Sequence, residues 1–109
     1  MNLYHSTTSP IVKNFRIKGN CGYGAYFAKT IKDSKTFGDI TYKVKIEAKK
    51  TFIIHDNDVK KYKFFNIDKE WFDKYISLGF DSIAWYKKGV LKEFIALDEN
   101  IIKKFEVIL

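Results

Sequence analysis

A run of two-residue alternation between positions 40 and 46 most constrains the fold of this chain. Within "DITYKVKIEA" every second residue is apolar, and these residues are Ile40, Tyr42, Val44 and Ile46. The residues between them are polar, and they are Thr41, Lys43, Lys45 and Glu47. Side chains of a β-strand point alternately to the two faces of a sheet, so the pattern predicts a half-buried strand. Because such a strand needs neighbours, the framework of the fold is expected to be a sheet.

Other short runs supply the neighbouring strands. We expect a first strand over residues 2–5, which delivers His5, followed by a loop, and a later strand that starts at "GAYFA". "TFIIH" and the final "KKFEVIL" are typical of two more strands. The runs "SIAWY" and "VLKEFIAL" are separated by "KKG", whose glycine suits the turn of a β-hairpin.

Two segments favour helices. "TIKDSKTFG" predicts a short helix that is capped by Thr30 or Asp33 and ended by Gly38. "NIDKEWFDKYISLGFD" predicts a longer helix with Asp68 as N-cap and Gly79 in the left-handed position after its end. Its apolar stripe consists of Trp71, Phe72, Tyr75 and Ile76. Six or so strands with few short helices make a compact, strand-dominated α+β fold, and 109 residues suffice for one domain, which we place at 1–109.

The charge balance is basic, with a formal net charge of +7. Such a balance suits nucleic acid, a membrane surface or an anionic ligand. The lysines are scattered as singles and pairs, which is typical of a solvated surface, and Arg16 is the single arginine. Because bidentate readout of bases and phosphates uses the guanidinium group, this composition disfavours a dedicated nucleic-acid reader.

Metal and membrane chemistry are also disfavoured. The single cysteine, Cys21, excludes an internal disulfide and a cysteine-based zinc cluster. His5 and His55 have no cysteine or acid at metal-ligand spacing, so we expect no metal site. The N-terminus has no signal-peptide pattern, and no apolar run is long enough to cross a bilayer. We therefore expect a cytoplasmic protein that does not bind a membrane and is a monomer by itself.

Three residues nevertheless stand out as candidates for chemistry. His5 ends the first strand and precedes a run of hydroxyl residues, Tyr26 follows two glycines, and Glu93 lies inside the apolar strand "LKEFIAL". An acid within an apolar strand needs a partner or a function. Each residue also has an ordinary structural explanation, as a strand end, a core ring or an edge position facing water.

Four sequence blocks together resemble the ADP-ribosyltransferase superfamily, in its His-Tyr-Glu branch, which includes poly(ADP-ribose) polymerases and diphtheria-type toxins. "LYHST" is similar to the strand of that branch that ends in H-G-[ST], and "GYGAYFA" is similar to its G-x-G-x-Y-F-A strand. "DSKTFG" is similar to its S-K-S-x-x-Y helix, and "EFIALD" to its E-[YF]-[IV]-x-x-D strand. The blocks follow in the family's order over residues 3–98. The resemblance implies a fold with two small sheets around an NAD⁺ cleft.

The resemblance also implies catalytic and NAD⁺-binding residues. The catalytic residues would be Glu93, His5 and Tyr26. The cofactor-binding residues would be His5, Ser6, Thr7, Gly24, Tyr26, Phe27, Ser34 and Phe37, with Arg16 as a further candidate for the diphosphate. Tyr26 and Phe37 would stack on the nicotinamide ring. The backbone at Ser6 and the hydroxyl group of Ser34 would hold its carboxamide, and His5 would bond the ribose on the adenosine side. Glu93 would accept from the ribose 2′-hydroxyl and face the positive charge that develops when the nicotinamide–ribose bond breaks.

Three departures from the family pattern shape the expected function. Ser6 replaces the usual glycine, Leu91 stands where arginine-modifying relatives carry Gln or Glu, and the loop before Glu93 is reduced to "KKG". The Ser6 side chain must then point away from the carboxamide, and Leu91 disfavours an arginine acceptor. The reduced loop leaves little of the protein to hold a growing polymer, which favours transfer of a single ADP-ribose. We expect a macromolecular acceptor, protein rather than nucleic acid. Catalytic domains of this size resemble phage-encoded, anti-CRISPR and toxin transferases. The alternatives are modification of nucleic acid or of a small molecule, NAD⁺ hydrolysis, or a basic binding module without catalysis.

Overall fold

The computed structural model describes residues 1–11, 14–19 and 22–108, so the prediction about Cys21 lies outside the described residues. Its strands are β1 (Asn2–Thr7), β2 (Lys18–Gly19), β3 (Gly22–Tyr23), β4 (Ala25–Ala28), β5 (Ile40–Ile46), β6 (Thr51–His55), β7 (Ser82–Lys87), β8 (Val90–Ala96) and β9 (Ile102–Val107). Its α-helices are α1 (Ile31–Ser34) and α2 (Lys69–Ser77), and its 3₁₀ helices are Lys35–Phe37 and Glu99–Ile101. The predicted strand-dominated α+β class is confirmed.

Seven strands form one mixed sheet in the order β6-β7-β8-β4-β1-β5-β9, and β2 pairs with β3 in a separate two-stranded ribbon. This arrangement differs from the expected two small sheets. Neighbours in the large sheet are antiparallel except β6 and β7, which are parallel. Parallel neighbours require a crossover connection. Here the connection contains a series of turns over residues 56–65 and helix α2.

The local signals for turns and caps are confirmed. Thr30 caps α1 by accepting from the Asp33 N–H, and Asp68 caps α2 by accepting from the Trp71 N–H. The turn between β7 and β8 has Lys88 and Gly89 at φ angles of 50° and 77°, which gives the hairpin that "KKG" predicts.

The alternation in β5 is confirmed on its apolar side, where Tyr42, Val44 and Ile46 are buried. Thr41, which the pattern assigns to the polar side, is fully buried, so that expectation is wrong. The reason is that Thr41 pairs with Ser6 of β1 and forms a hydrogen bond with its hydroxyl group. In α2, likewise, Ile76 is 42% exposed although the helical stripe places it in the core.

The sheet has a core on each face. One core contains Leu3, Phe15, Ala25, Phe27, Tyr42, Val44, Ile46, Ala84, Phe94, Ala96, Ile101 and Ile102. The other contains Ile54, Phe64, Ile67, Phe72, Tyr75, Ile83, Ile95 and Leu97, and includes side chains from α2 and from the crossover connection. Tyr26 packs against this second core, whereas the neighbouring Phe27 belongs to the first. Adjacent residues of β4 thus point to opposite faces.

Candidate functional site

The site begins where two neighbouring strands separate. The described pairing between β1 and β4 consists of Tyr4 with Ala28, and the strands do not continue as a ladder beyond it. Past this point the His5 side chain lies between them, and its Nδ1 is 2.7 Å from the main-chain oxygen of Tyr26. A carbonyl oxygen only accepts, so Nδ1 carries the hydrogen and donates. The imidazole therefore bridges two strands that have stopped bonding to each other through their backbones.

This bond fixes the chemistry of the other ring nitrogen. Burial lowers the pKa of His5 from 6.5, and the hydrogen bond to Tyr26 opposes that effect to a smaller extent. The ring is therefore neutral at neutral pH, with Nε2 as an acceptor. It packs edge-on against Phe15, with ring centroids 4.9 Å apart, and also contacts Phe27. His5 is thus held in position to accept a hydrogen bond from a ligand hydroxyl.

Two cavities lie beside the separated strands, and His5 and Tyr26 line both of them. The first has a volume of about 350 Å³ and is lined by Tyr4, His5, Ser6, Tyr26, Phe27, Ala28, Ser34, Phe37, Phe65 and Glu93. The second has a volume of about 700 Å³ and is lined by His5, Ser9, Pro10, Ile11, Asn14, Phe15, Arg16, Gly24, Ala25 and Tyr26. Both volumes lie in the range of about 300–1,000 Å³ that is typical of small-molecule sites.

The pairing of β8 with β4 places Glu93 in the wall of the first cavity. It pairs with Ala28 of β4, and Ala28 pairs with Tyr4 of β1, so these three side chains share one face of the sheet. Burial raises the pKa of Glu93, with a smaller contribution from the negative charge of Asp33. Among the described residues no ion pair or hydrogen bond involves its carboxylate. The structure thus places a partly buried, uncompensated acid in the cavity wall.

Tyr26 stands beside this acid with its hydroxyl group already occupied. The hydroxyl donates to the main-chain oxygen of Phe64 over 2.5 Å, and the ring packs edge-on against Phe64 with centroids 5.9 Å apart. Burial, followed by the charge of Glu93, raises the pKa of Tyr26 to about 12. Tyr26 therefore stays neutral and presents an aromatic surface to the cavity, not a base.

Three buried hydroxyl groups, those of Thr41, Ser6 and Ser34, form a chain of hydrogen bonds beside the first cavity. Ser34 Oγ donates to the main-chain oxygen of Ile31 over 2.8 Å, which uses its one hydrogen. Ser6 must therefore donate to Ser34 over 2.9 Å, and Thr41 must donate to Ser6 over 2.8 Å. The direction Thr41 to Ser6 to Ser34 fixes α1 against β1. Ser34 keeps one free lone pair, so a ligand at this hydroxyl must supply a donor, such as an amide N–H.

Exposed aromatic rings line the cavity together with these polar groups. Phe37, at the end of the 3₁₀ helix after α1, is 66% exposed, and Phe65 of the crossover connection is 57% exposed. Rings that are open to solvent beside a cavity are available for stacking on a flat ligand. Phe27 differs from them, because its ring is 2% exposed and packs against Phe15 in the core.

The remaining predicted residues lie around the second cavity or outside both. Arg16 is exposed and lines the second cavity, as does Gly24. Gly24 has a φ of 95°, and a Cβ there would overlap the Ile95 side chain, so the fold itself requires this glycine. Thr7 lines neither cavity, and its hydroxyl accepts from the Ser9 N–H over 3.3 Å.

Sequence reasoning missed Tyr4, Ala28 and Phe65 as lining residues, and it missed Thr41 as the start of the hydroxyl chain. Tyr4 and Ala28 could have been found from the pairing of β1, β4 and β8, had the register been known. Phe65 carried no motif signal, because it follows the buried Phe64 in a segment without periodicity.

Within residues 1–11, 14–19 and 22–108, no group of three or more histidine, cysteine or acidic side chains is arranged to hold a metal ion. In the same ranges no helix has both the length and the apolar character to cross a bilayer.

Comparison with known proteins gives one structural similarity. No protein-family model matches the chain, and no curated protein matches its sequence. Among solved structures, an anti-CRISPR protein known from its crystal structure is similar, with a TM-score of 0.57 and 13% sequence identity. The alignment covers 99% of this chain and 95% of that chain. At this identity the comparison shows a shared fold, and the resemblance to ADP-ribosyltransferases stays a prediction.

Proposed function

We propose that this chain is a mono-ADP-ribosyltransferase that cleaves the nicotinamide–ribose bond of NAD⁺ and transfers ADP-ribose to a macromolecular acceptor, with protein favoured over nucleic acid. One observation carries the proposal. Residues from all four sequence blocks that resemble the family, His5, Tyr26, Ser34, Phe37 and Glu93, line a single cavity of about 350 Å³. Neither strand alternation nor core packing requires these five side chains to meet.

The two cavities, which share His5 and Tyr26 in their linings, suit the two halves of NAD⁺. The first supplies the rings of Tyr26 and Phe37 for a cationic aromatic ring, together with the Ser34 lone pair for its carboxamide. The second supplies Arg16, whose guanidinium can pair with a diphosphate. His5 lines both cavities, and its Nε2 can accept from a ribose hydroxyl group.

Glu93 would supply the rate enhancement. In the proposed reaction the bond between nicotinamide and ribose C1′ breaks, its electron pair leaves with the nicotinamide, and positive charge develops on the ribose. A carboxylate that is poorly compensated by the protein stabilises this charge more than it stabilises the ground state. An acceptor nucleophile then forms the new bond to C1′ and loses its proton.

We further propose that the protein is encoded by a phage and inhibits a defence system of the bacterial host. Support comes from the fold shared with an anti-CRISPR protein over 99% of this chain. We expect expression in bacteria with an active CRISPR system to restore infection by a targeted phage. Restoration should be lost with Glu93→Gln, and equal restoration by both proteins would contradict a catalytic mechanism.

The reaction is tested with NAD⁺ labelled in its adenylate phosphate, incubated with the protein and a bacterial lysate. Label should enter material that protease digests and nuclease does not, and Glu93→Gln should abolish incorporation. Label sensitive to nuclease would overturn the protein acceptor in favour of nucleic acid. Release of free ADP-ribose without incorporation would indicate NAD⁺ hydrolysis, and no consumption of NAD⁺ by the wild type would leave a binding module as the function.

A further inference from the structure

A basic groove adjoins the first cavity and is separate from the proposed NAD⁺ site. It has a volume of about 280 Å³ and is lined by Val59, Lys60, Lys63, Phe65 and Asn66. We call it the lysine groove. Phe65 also lines the first cavity, so one ring forms a wall of both. From this adjacency we propose that the lysine groove docks an acidic segment of a protein acceptor.

The ring between the two spaces is held in a fixed orientation. Phe65 packs edge-on against Phe64, with centroids 5.0 Å apart at 90°, and edge-on against Trp85, with centroids 5.5 Å apart at 89°. Phe64 is fully buried, so these contacts anchor an otherwise exposed ring to the core. An acceptor segment that lies in the groove would therefore reach the first cavity by passing over the Phe65 ring.

The backbone of the groove is fixed as well. The Lys63 N–H donates to the main-chain oxygen of Lys60, and the Asn66 N–H donates to that of Lys63, over 3.2 Å and 3.0 Å. Lys63 has a φ of 57°, in the left-handed region that costs a residue with a Cβ on the order of 1 kcal/mol or more. Glycine or asparagine would adopt this conformation more readily, and the sequence has a lysine instead.

The charges of the groove are free to act on a ligand. Lys60 and Lys63 are exposed, and among the described residues neither forms an ion pair. Two ammonium groups and the Asn66 amide make a short site rich in donors that suits carboxylates. A nucleic acid strand is disfavoured as occupant, since the lining of the groove contains no arginine and only two lysines to pair with phosphates.

The inference rests on the proposed function only in calling the ligand an acceptor, and binding can be tested without catalysis. The probe is a short fluorescein-labelled peptide of alternating glutamate and serine, added to the full chain at low salt. We expect saturable binding that weakens with salt. The double variant Lys60→Glu/Lys63→Glu should weaken it about tenfold or more. The matched control, Lys103→Glu/Lys104→Glu in β9 at the opposite edge of the sheet, should leave it within about twofold.

Three outcomes would overturn the docking proposal, the first being no saturable binding of the peptide by the wild type. Equal weakening by both double variants would show that net charge, not the groove, holds the peptide. Tighter binding of a single-stranded oligothymidylate of equal charge, lost with Lys60→Glu/Lys63→Glu, would assign the groove to nucleic acid. Thermal stabilisation by NAD⁺, measured in parallel, tests the proposed function separately. Its absence in a wild type that binds the peptide would refute the NAD⁺ site and leave the docking site intact.

Discussion

The imidazole of His5 donates from Nδ1 to the main-chain oxygen of Tyr26 over 2.7 Å, and this bond joins β1 to β4 where their ladder has ended. Two residues 21 positions apart, each a candidate for the chemistry, are thus parts of one structural unit. The hydrogen bond fixes the tautomer of the ring, and the ring in turn keeps the two strands at a constant separation. The geometry of the candidate site and the architecture of the sheet therefore depend on the same contact.

Replacing His5 is expected to lower both the stability of the fold and the binding of NAD⁺. His5→Ala removes the bridge and the contact with Phe15, so we expect a loss of roughly 1–3 kcal/mol in the free energy of unfolding. Thermal stabilisation by NAD⁺ should disappear as well. His55→Ala is the matched control, because His55 is exposed and lines neither cavity, and it should change neither quantity. Thermal denaturation with and without NAD⁺ checks this.

The lowered pKa of His5 gives a pH dependence with a defined sign. As pH falls through 6.5, the unfolded chain takes up a proton before the native chain does, so the native state loses stability. The stability difference between wild type and His5→Ala should therefore shrink below pH 6.5 and stay constant above it. Denaturant titrations across this range measure it, and a difference that grows with acidity would contradict the burial of a neutral ring.

Glu93→Gln is expected to reduce activity and increase stability. Loss of the carboxylate should lower the rate of nicotinamide release about 10²–10³-fold. The pKa of Glu93 is raised above 4.5, so the native state of the wild type loses stability as pH rises from 4.5 through that raised pKa. Gln carries no charge, so the variant should melt at a higher temperature at pH 7 and lose this advantage near pH 4.5. A lower melting temperature at pH 7 would show that the carboxylate has a stabilising partner.

Thr41→Val tests the buried hydroxyl chain. The change keeps the shape of the side chain but removes the hydrogen bond to Ser6, which should cost about 1 kcal/mol. Ser6→Ala should cost more, because it interrupts the bonds to both Ser34 and Thr41. The double variant should be less unstable than the sum of the two, by about 0.5 kcal/mol or more. Simple additivity in a double-mutant cycle would contradict a connected chain.

Phe37→Ala tests the exposed ring beside the first cavity. The ring is 66% exposed and contributes little to the core, so the melting temperature should change by less than about 2 °C. Nicotinamide should bind about 2- to 10-fold more weakly, as loss of one stacking partner implies. Val107→Ala at the far edge of the sheet is an exposed apolar control and should leave binding unchanged. Isothermal titration measures both affinities.

Much of the fold was predictable because its signals are local. The alternation of β5, the caps at Thr30 and Asp68 and the glycine turn of the β7–β8 hairpin each depend on residues close in sequence. The parallel pairing of β6 with β7 was not predictable, because it depends on how α2 packs across the sheet. The expectation of two small sheets came from the family resemblance, whereas the structure has one sheet of seven strands and a separate two-stranded ribbon.

The residues of the candidate site also divide into those with a local sequence signal and those without one. Sequence motifs identified His5, Tyr26, Ser34 and Glu93, and the fold brings them to one cavity. The burial of Thr41 was missed because alternation assigns a residue to a face without saying what covers that face. Phe65 was missed because an exposed ring in a turn-rich segment has no periodic signal.

The pairing of β4 with β8 determines when the candidate site can form during synthesis of the chain. Tyr26 lies in β4, whereas Glu93 lies in β8, which is synthesised only after β5, β6, α2 and β7. Contacts between such distant segments form late, because a long loop must close before they stabilise the chain. A nascent chain that lacks residues 90–96 has no central partner for β4 and no acid in the cavity. The candidate site therefore assembles only after β8 has been synthesised, and no intermediate that lacks β8 carries it.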